Sequence, residues 1–246
     1  MIEIATVDRW WALTGEFPEF RRVSPFPLKD FGYLWLFKYI KDHPSLATIC
    51  EFGHGMNPHL LETLQHSHEV WGADDWQDLS YFPGRDEWSA QYQRDVVEKC
   101  PKAHLVRGLL GDASSPAAAA LPENHFDLVC SVSVLEEIDM EAALPIFAHC
   151  HRLLRPGGVM VNSYDLCLGQ RGRAGGGGYT PLQHLQLYVG AQRHVGFDLD
   201  LPDININMNS LLLENPTSAM LQYQHCDGEN REYWGHWTTL VSVARK

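Results

Sequence analysis

The stretch ICEFGHGMNPHLL (49–61) sets Gly53 and Gly55 two residues apart, immediately after an apolar run that ends at Glu51. A strand, a tight glycine turn and a helix in that order build the crevice at the carboxyl end of a parallel sheet, where such folds bind ligands. Asn57 is placed to cap the helix and Pro58 to occupy its first turn. The dinucleotide fingerprint needs a third glycine where Pro58 stands, and a phosphate-cradling loop needs a Lys followed by Ser or Thr, which this loop lacks. The expected ligand is one without a polyphosphate.

The elements that must hold this loop alternate in character. TICEF (48–52), EVWGAD (69–74), AHLVRGLL (103–110), FDLVCSV (126–132) and GVMVNSY (158–164) read as strands. PHLLETLQH, DEWSAQYQRDVVEKC, SSPAAAALP and DMEAALPIFAHCHRLL lie between them with helix-forming composition, Pro145 being expected to kink or delay the last. Such alternation predicts crossovers and a parallel sheet. LGQRGRAGGGGYTP (168–181), with six glycines in fourteen residues, reads as a mobile loop, followed by the helix-like PLQHLQLYVGAQRH. GFDLDL (196–201) and TTLVSVAR (238–245) supply the last two strand candidates. The expectation is an α/β, Rossmann-like fold: seven strands, mostly parallel, with helices on both faces. Residues 1–44 carry ten aromatics between Trp10 and Tyr39 and read as a helical cap or lid on a domain spanning 45–246.

At 246 residues and 45% hydrophobic, the chain suffices for one large domain with a real core. A net charge of -12 spread through the chain leaves no footprint for nucleic acid. With neither a basic leader nor an apolar signal segment, and no run approaching the length of a membrane span, a cytosolic protein is expected. Six cysteines without a C-x-x-C pair do not indicate a disulfide framework. The pairs His66/His68 and His149/His151 point apart on a helix and lack a third ligand at motif spacing, so no metal is expected.

Five motifs, in order over roughly residues 46–165, resemble those of the class I S-adenosylmethionine-dependent methyltransferases. E-F-G-H-G resembles the family's opening motif, an acidic residue followed by x-G-x-G. GADD ends the second strand, and Asp74, twenty-one residues beyond Gly53, matches the acidic residue that bonds the ribose hydroxyls. LLGDA resembles the third motif, which implies Asp112 and the Ala113 backbone beside the adenine; ENHFDLVCSVSVLEEI resembles the fourth, with Ser131 just past the strand; and LLRPGGVMVNSY resembles the following helix, turn and strand. The resemblance implies S-adenosylmethionine as cofactor, with Glu51 near its ammonium, Asp74 at its diol and Asp112 at its base. A sulfonium is a cation, so indole faces such as those of Trp10 or Trp11 suit it.

The family's frequent L-E-H reads Leu135-Glu136-Glu137 here, leaving Glu137 as a candidate base in place of a histidine. Asn162 and Tyr164, with Ser163 and Asp165, follow the fifth strand where the open end of the sheet faces the reacting centre, and Tyr179 follows a glycine run able to act as a hinge. Three readings stay open: methyl transfer to an O, N or C nucleophile of a small molecule; cyclisation of the cofactor to azetidine-2-carboxylate and methylthioadenosine, with Asn162, Tyr164 or Tyr179 orienting the amine; and a non-catalytic cofactor-binding partner subunit.

Overall fold

A computed structural model describes residues 1–20, 27–55, 58–75, 85–138, 140–167, 181–199 and 237–246. Seven strands form one sheet: β1 (Ile2–Ile4), β2 (Thr48–Phe52), β3 (Glu69–Asp74), β4 (His104–Arg107), β5 (Phe126–Val132), β6 (Leu154–Cys167) and β7 (Trp237–Arg245). Their spatial order is β1-β7-β6-β5-β2-β3-β4. Strands β4, β3, β2, β5 and β6 are mutually parallel, whereas β7 runs antiparallel to both β6 and β1. From β2 the chain winds outward through β3 and β4, then returns to lay β5 on the other side of β2. That reversal opens a crevice at the carboxyl ends of β2 and β5.

Helices α1 (Val7–Glu16), α2 (Pro27–Asp42), α3 (His59–Leu64), α4 (Arg85–Lys99), α5 (Pro116–Ala120), α6 (Met140–Leu153) and α7 (Pro181–His194) flank the sheet. Alternation along each strand assigns the faces. Ile49, Leu128, Val132, Val159 and Val161 pack with Leu13, Phe31, Leu34 and Leu61 from α1, α2 and α3. Cys50, Val129, Met160 and Tyr164 pack on the other face with Phe147 and Cys150 of α6 and Tyr188 of α7.

The mostly parallel seven-stranded arrangement and the helices between strands follow the sequence expectation, with local differences. The seventh strand is Ile2–Ile4, inside the segment expected to be helical, rather than GFDLDL, where Asp198 makes one isolated bridge to Arg245. Three residues suffice because β7 offers a paired edge and the side chain of Ile2 is buried. The third strand stops at Arg107, where Gly108 adopts φ 148°, so Asp112 stands in a loop rather than at a strand tip. Pro58 occupies the cap position of α3 without a side-chain cap, and Asn57 lies outside the described residues. Pro145 lies within α6 on its exposed side, and the helix runs on through it.

Candidate active site

The glycine loop is tied to the tip of β3. Gly53 N–H donates to the Ala73 carbonyl at 2.8 Å, and Gly55 N–H donates to Asp74 Oδ2 at 2.9 Å. Both glycines have positive φ, 65° and 61°, a region that costs other residues about 1–2 kcal/mol. At Gly53 a further constraint applies: a Cβ there would stand 2.6 Å from Val134 Cγ2. The loop therefore packs against the turn that follows β5.

Beneath the loop lies Glu51, fully buried, with neither carboxylate oxygen in a well-formed hydrogen bond. Burial and the neighbouring charge of Asp74 push its pKa up to about 8, while the Tyr33 hydroxyl of α2 acts weakly in the opposite direction. A carboxyl kept proton-bearing and short of partners at the floor of a crevice is an acceptor awaiting a donor or a cation. His54, also buried, sets Nδ1 3.0 Å from the Gly55 carbonyl, and burial holds it toward its neutral form against the charge of Asp74.

Beside the loop, a cavity of about 570 Å³ opens beyond the ends of β3 and β4. Asp75 and Asp112 supply its carboxylates, and Leu109, Leu110, Ile138 and Ile146 its apolar walls. Asp112 is exposed, and its Oδ1 accepts from the Ser114 backbone N–H (2.8 Å) and hydroxyl (2.7 Å), which lower its pKa. Ala113 is exposed next to it. Asp75, read from the sequence only as a neighbour of Asp74, lines the cavity, while Asp74 holds the loop.

Residues 52–162 match the family described as a methyltransferase domain. No curated protein matches the sequence of the chain. Among solved structures, a Galdieria sulphuraria protein described as a sarcosine dimethylglycine methyltransferase aligns over 97% of this chain and 98% of its own, at 12% identity and TM-score 0.52. A SAM-dependent methyltransferase from Archaeoglobus fulgidus covers 89% of this chain and 94% of its own, at 14% identity and TM-score 0.51. A geranyl diphosphate C-methyltransferase from Streptomyces coelicolor A3(2), solved with Mg2+, geranyl diphosphate and S-adenosyl-L-homocysteine, covers 88% and 80%, at 11% identity and TM-score 0.50. At these identities the likeness is one of fold.

Alternation along β6 separates the four polar residues Asn162, Ser163, Tyr164 and Asp165. Asn162 and Tyr164 point into the α7 face and are sealed there. Ser131 donates to Asn162 Oδ1 at 2.9 Å, the Tyr164 ring stacks on Tyr188, and its hydroxyl takes long bonds from Ser242 (3.3 Å) and Gln192 (3.4 Å). Burial drives the Tyr164 phenol well above its ordinary pKa. Ser131, Asn162 and Tyr164 thus form a buried polar network, not the open rim that position in the sequence suggested. Ser163 points to the other face under α2, where a Cβ on Gly32 would meet its Oγ at 2.5 Å.

Glu137 closes a 3-10 turn, Leu135–Glu137, and its side chain is outside the described residues. Its neighbour Glu136 is buried. Trp10 and Trp11 lie on α1, after edge strand β1, and Trp11 is 64% exposed. Trp10 packs, partly buried, against the apolar cluster that includes Leu13, Ile49 and Leu61. Tyr179 and its glycine run lie outside the described residues. No group of three or more His, Cys, Asp or Glu able to hold a metal occurs among the described residues.

Sequence reasoning missed Tyr33, which reaches Glu51 from the N-terminal segment, and Ser133, whose φ of 52° is rare for a non-glycine residue. For Asp75 a signal existed, since GADD offers two acids where one was expected. For Ser133 none did.

Proposed function

We propose that the chain methylates a small molecule. The cofactor is S-adenosylmethionine, and the chain is a transferase that depends on it. Its chemistry, when bound, is an electrophilic methyl on a sulfonium. One observation carries the assignment of the crevice: Glu51 offers a fully buried carboxyl with no well-formed partner at the floor of a glycine loop, next to a cavity carrying two further carboxylates and apolar walls.

The residues present fit that cofactor. Glu51 accepts from its ammonium, Asp74 and Asp75 face its diol, and Asp112 with the Ala113 backbone meets its base against Leu110, Ile138 and Ile146. Gly53 and Gly55 let the backbone approach closely. Desolvation and orientation of the acceptor in the crevice supply the remaining rate enhancement. The cyclising reading relied on Asn162, Tyr164 and Tyr179 to orient an amine. Two of these are sealed beneath α7, and no observation favours that reading.

The test is purified protein with S-adenosylmethionine, with and without a panel of small acceptors, followed by mass spectrometry. S-adenosylhomocysteine formed only with an acceptor supports the proposal. Methylthioadenosine formed without one would replace it with cyclisation.

A further inference from the structure

Resting on the methyl-transfer reading, the geometry points to Asp165 as the carboxylate that receives the acceptor, and to a protonated amine as the acceptor's reacting group.

Of the four polar residues 162–165 in the second half of β6, Asn162, Ser163 and Tyr164 are buried at 2% exposure or less. Asp165 alone keeps solvent contact, although protein surrounds it closely enough for burial to raise its pKa. It stands on the same face of the sheet as Glu51. Backbone packing joins it to the cofactor loop: Gly53 packs on Val134, the chain turns at Ser133 with φ 52°, and the Ser133 N–H donates at 3.0 Å to the Ser163 carbonyl, two residues before Asp165. A non-glycine residue held in that backbone region is a local strain of the kind that collects at functional sites. On the far side, the Thr239 hydroxyl lies 3.1 Å from Asp165 Oδ1 and 3.3 Å from the Leu28 carbonyl, fixing the carboxyl between β7 and the start of α2. Lys29 of α2 is the charged group bearing on it, and Ser133 and Thr239 are the hydroxyls.

A positioned carboxylate near the methyl-transfer crevice selects for positive charge and for a removable proton. An alcohol, a phenol or a carbon acid offers a proton but no positive charge. An ammonium brings both. Asp165 takes one proton from the ammonium nitrogen. The freed lone pair forms the new N–C bond to the methyl, the C–S bond breaks with its electron pair on sulfur, and the product leaves as a methylated ammonium with S-adenosylhomocysteine. Asp165 then returns its proton to water.

The full chain is incubated with S-adenosylmethionine carrying a carbon-13 methyl and a defined mixture of primary and secondary amines, phenols, alcohols and 1,3-dicarbonyl carbon acids. The chemical shift of the transferred methyl identifies the atom that received it. Transfer to nitrogen is expected, reduced by about 100-fold or more in Asp165→Asn and partly restored in Asp165→Glu with a displaced pH profile. The methylated amine's parent also binds the S-adenosylhomocysteine-saturated protein more weakly in Asp165→Asn, while cofactor affinity measured by calorimetry is unchanged. A methyl on oxygen or carbon, or full turnover by Asp165→Asn, overturns the inference and leaves methyl transfer standing. No transfer to any compound, with cofactor binding intact, contradicts the methyl-transfer reading and the inference with it.

Discussion

Replacing Glu51 with Gln separates the two consequences of a buried carboxyl without partners. Its pKa rises from 4.5 to about 8 because burial, and then the charge of Asp74, disfavour ionisation. The folded state therefore binds a proton that the unfolded state has lost across that window. A raised acid contributes stability that is complete below the unfolded value and is lost as pH rises toward the folded value. At 1.36 kcal/mol for each unit, that loss is on the order of 5 kcal/mol between pH 4.5 and pH 8. Glu51→Gln removes the ionisation, so its urea midpoint, followed by circular dichroism from pH 5 to pH 8, stays flatter than that of the wild type and lies above it at pH 8.

Binding gives the opposite sign. A cationic cofactor beside Glu51 favours the carboxylate, so at pH 7 the wild type releases up to about 0.9 proton on binding. This release is read by calorimetry in buffers of different ionisation enthalpy. Glu51→Gln releases none and binds more weakly. Equal pH dependence of stability in both proteins, together with zero proton release by the wild type, would refute this placement of the carboxyl.

Asp74→Ala removes both a proposed diol acceptor and the partner of Gly55 N–H, and we expect at least a tenfold loss of cofactor affinity by calorimetry, about 1.4 kcal/mol. Gly53→Ala meets Val134 as well as a left-handed backbone, so adding Val134→Ala should recover part of the lost urea midpoint while a residual cost of about 1–2 kcal/mol persists. Tyr164→Phe leaves the Ser242 and Gln192 donors without an acceptor. It should cost about 1–3 kcal/mol of stability and leave cofactor affinity unchanged; a selective loss of turnover would instead restore Tyr164 to the reaction.

The parallel core was legible because its signals are local and repeated. β-branched runs such as TICEF and FDLVCSV alternate with helices, and Gly53 with Gly55 marks the turn between the first pair. Edges were harder to read. Ile2–Ile4 is a strand only because β7, more than two hundred residues away, completes its hydrogen bonds, and nothing in MIEI itself reports that partner. Facing was hardest. NSYD reads as four polar residues at an open rim, yet the pleat sends Asn162 and Tyr164 beneath α7 and Ser163 and Asp165 toward α2. Packing on both faces buries Asn162, Ser163 and Tyr164, and of the four Asp165 alone stays partly exposed. Trp10 and Trp11 were assigned by chemistry alone; in the fold Trp10 packs on the apolar face beneath α1 and α2 while Trp11 is exposed.

The most direct measurement is a crystal structure with S-adenosylhomocysteine. The account predicts the nucleoside between the Gly53–Gly55 loop and the cavity of Asp75 and Asp112, its amino acid portion directed toward Glu51. The contradicting result is a nucleoside in the cavity formed by Glu3, Trp35, Tyr39 and Arg245 near the opposite end of α2, or no bound nucleoside at saturating concentration.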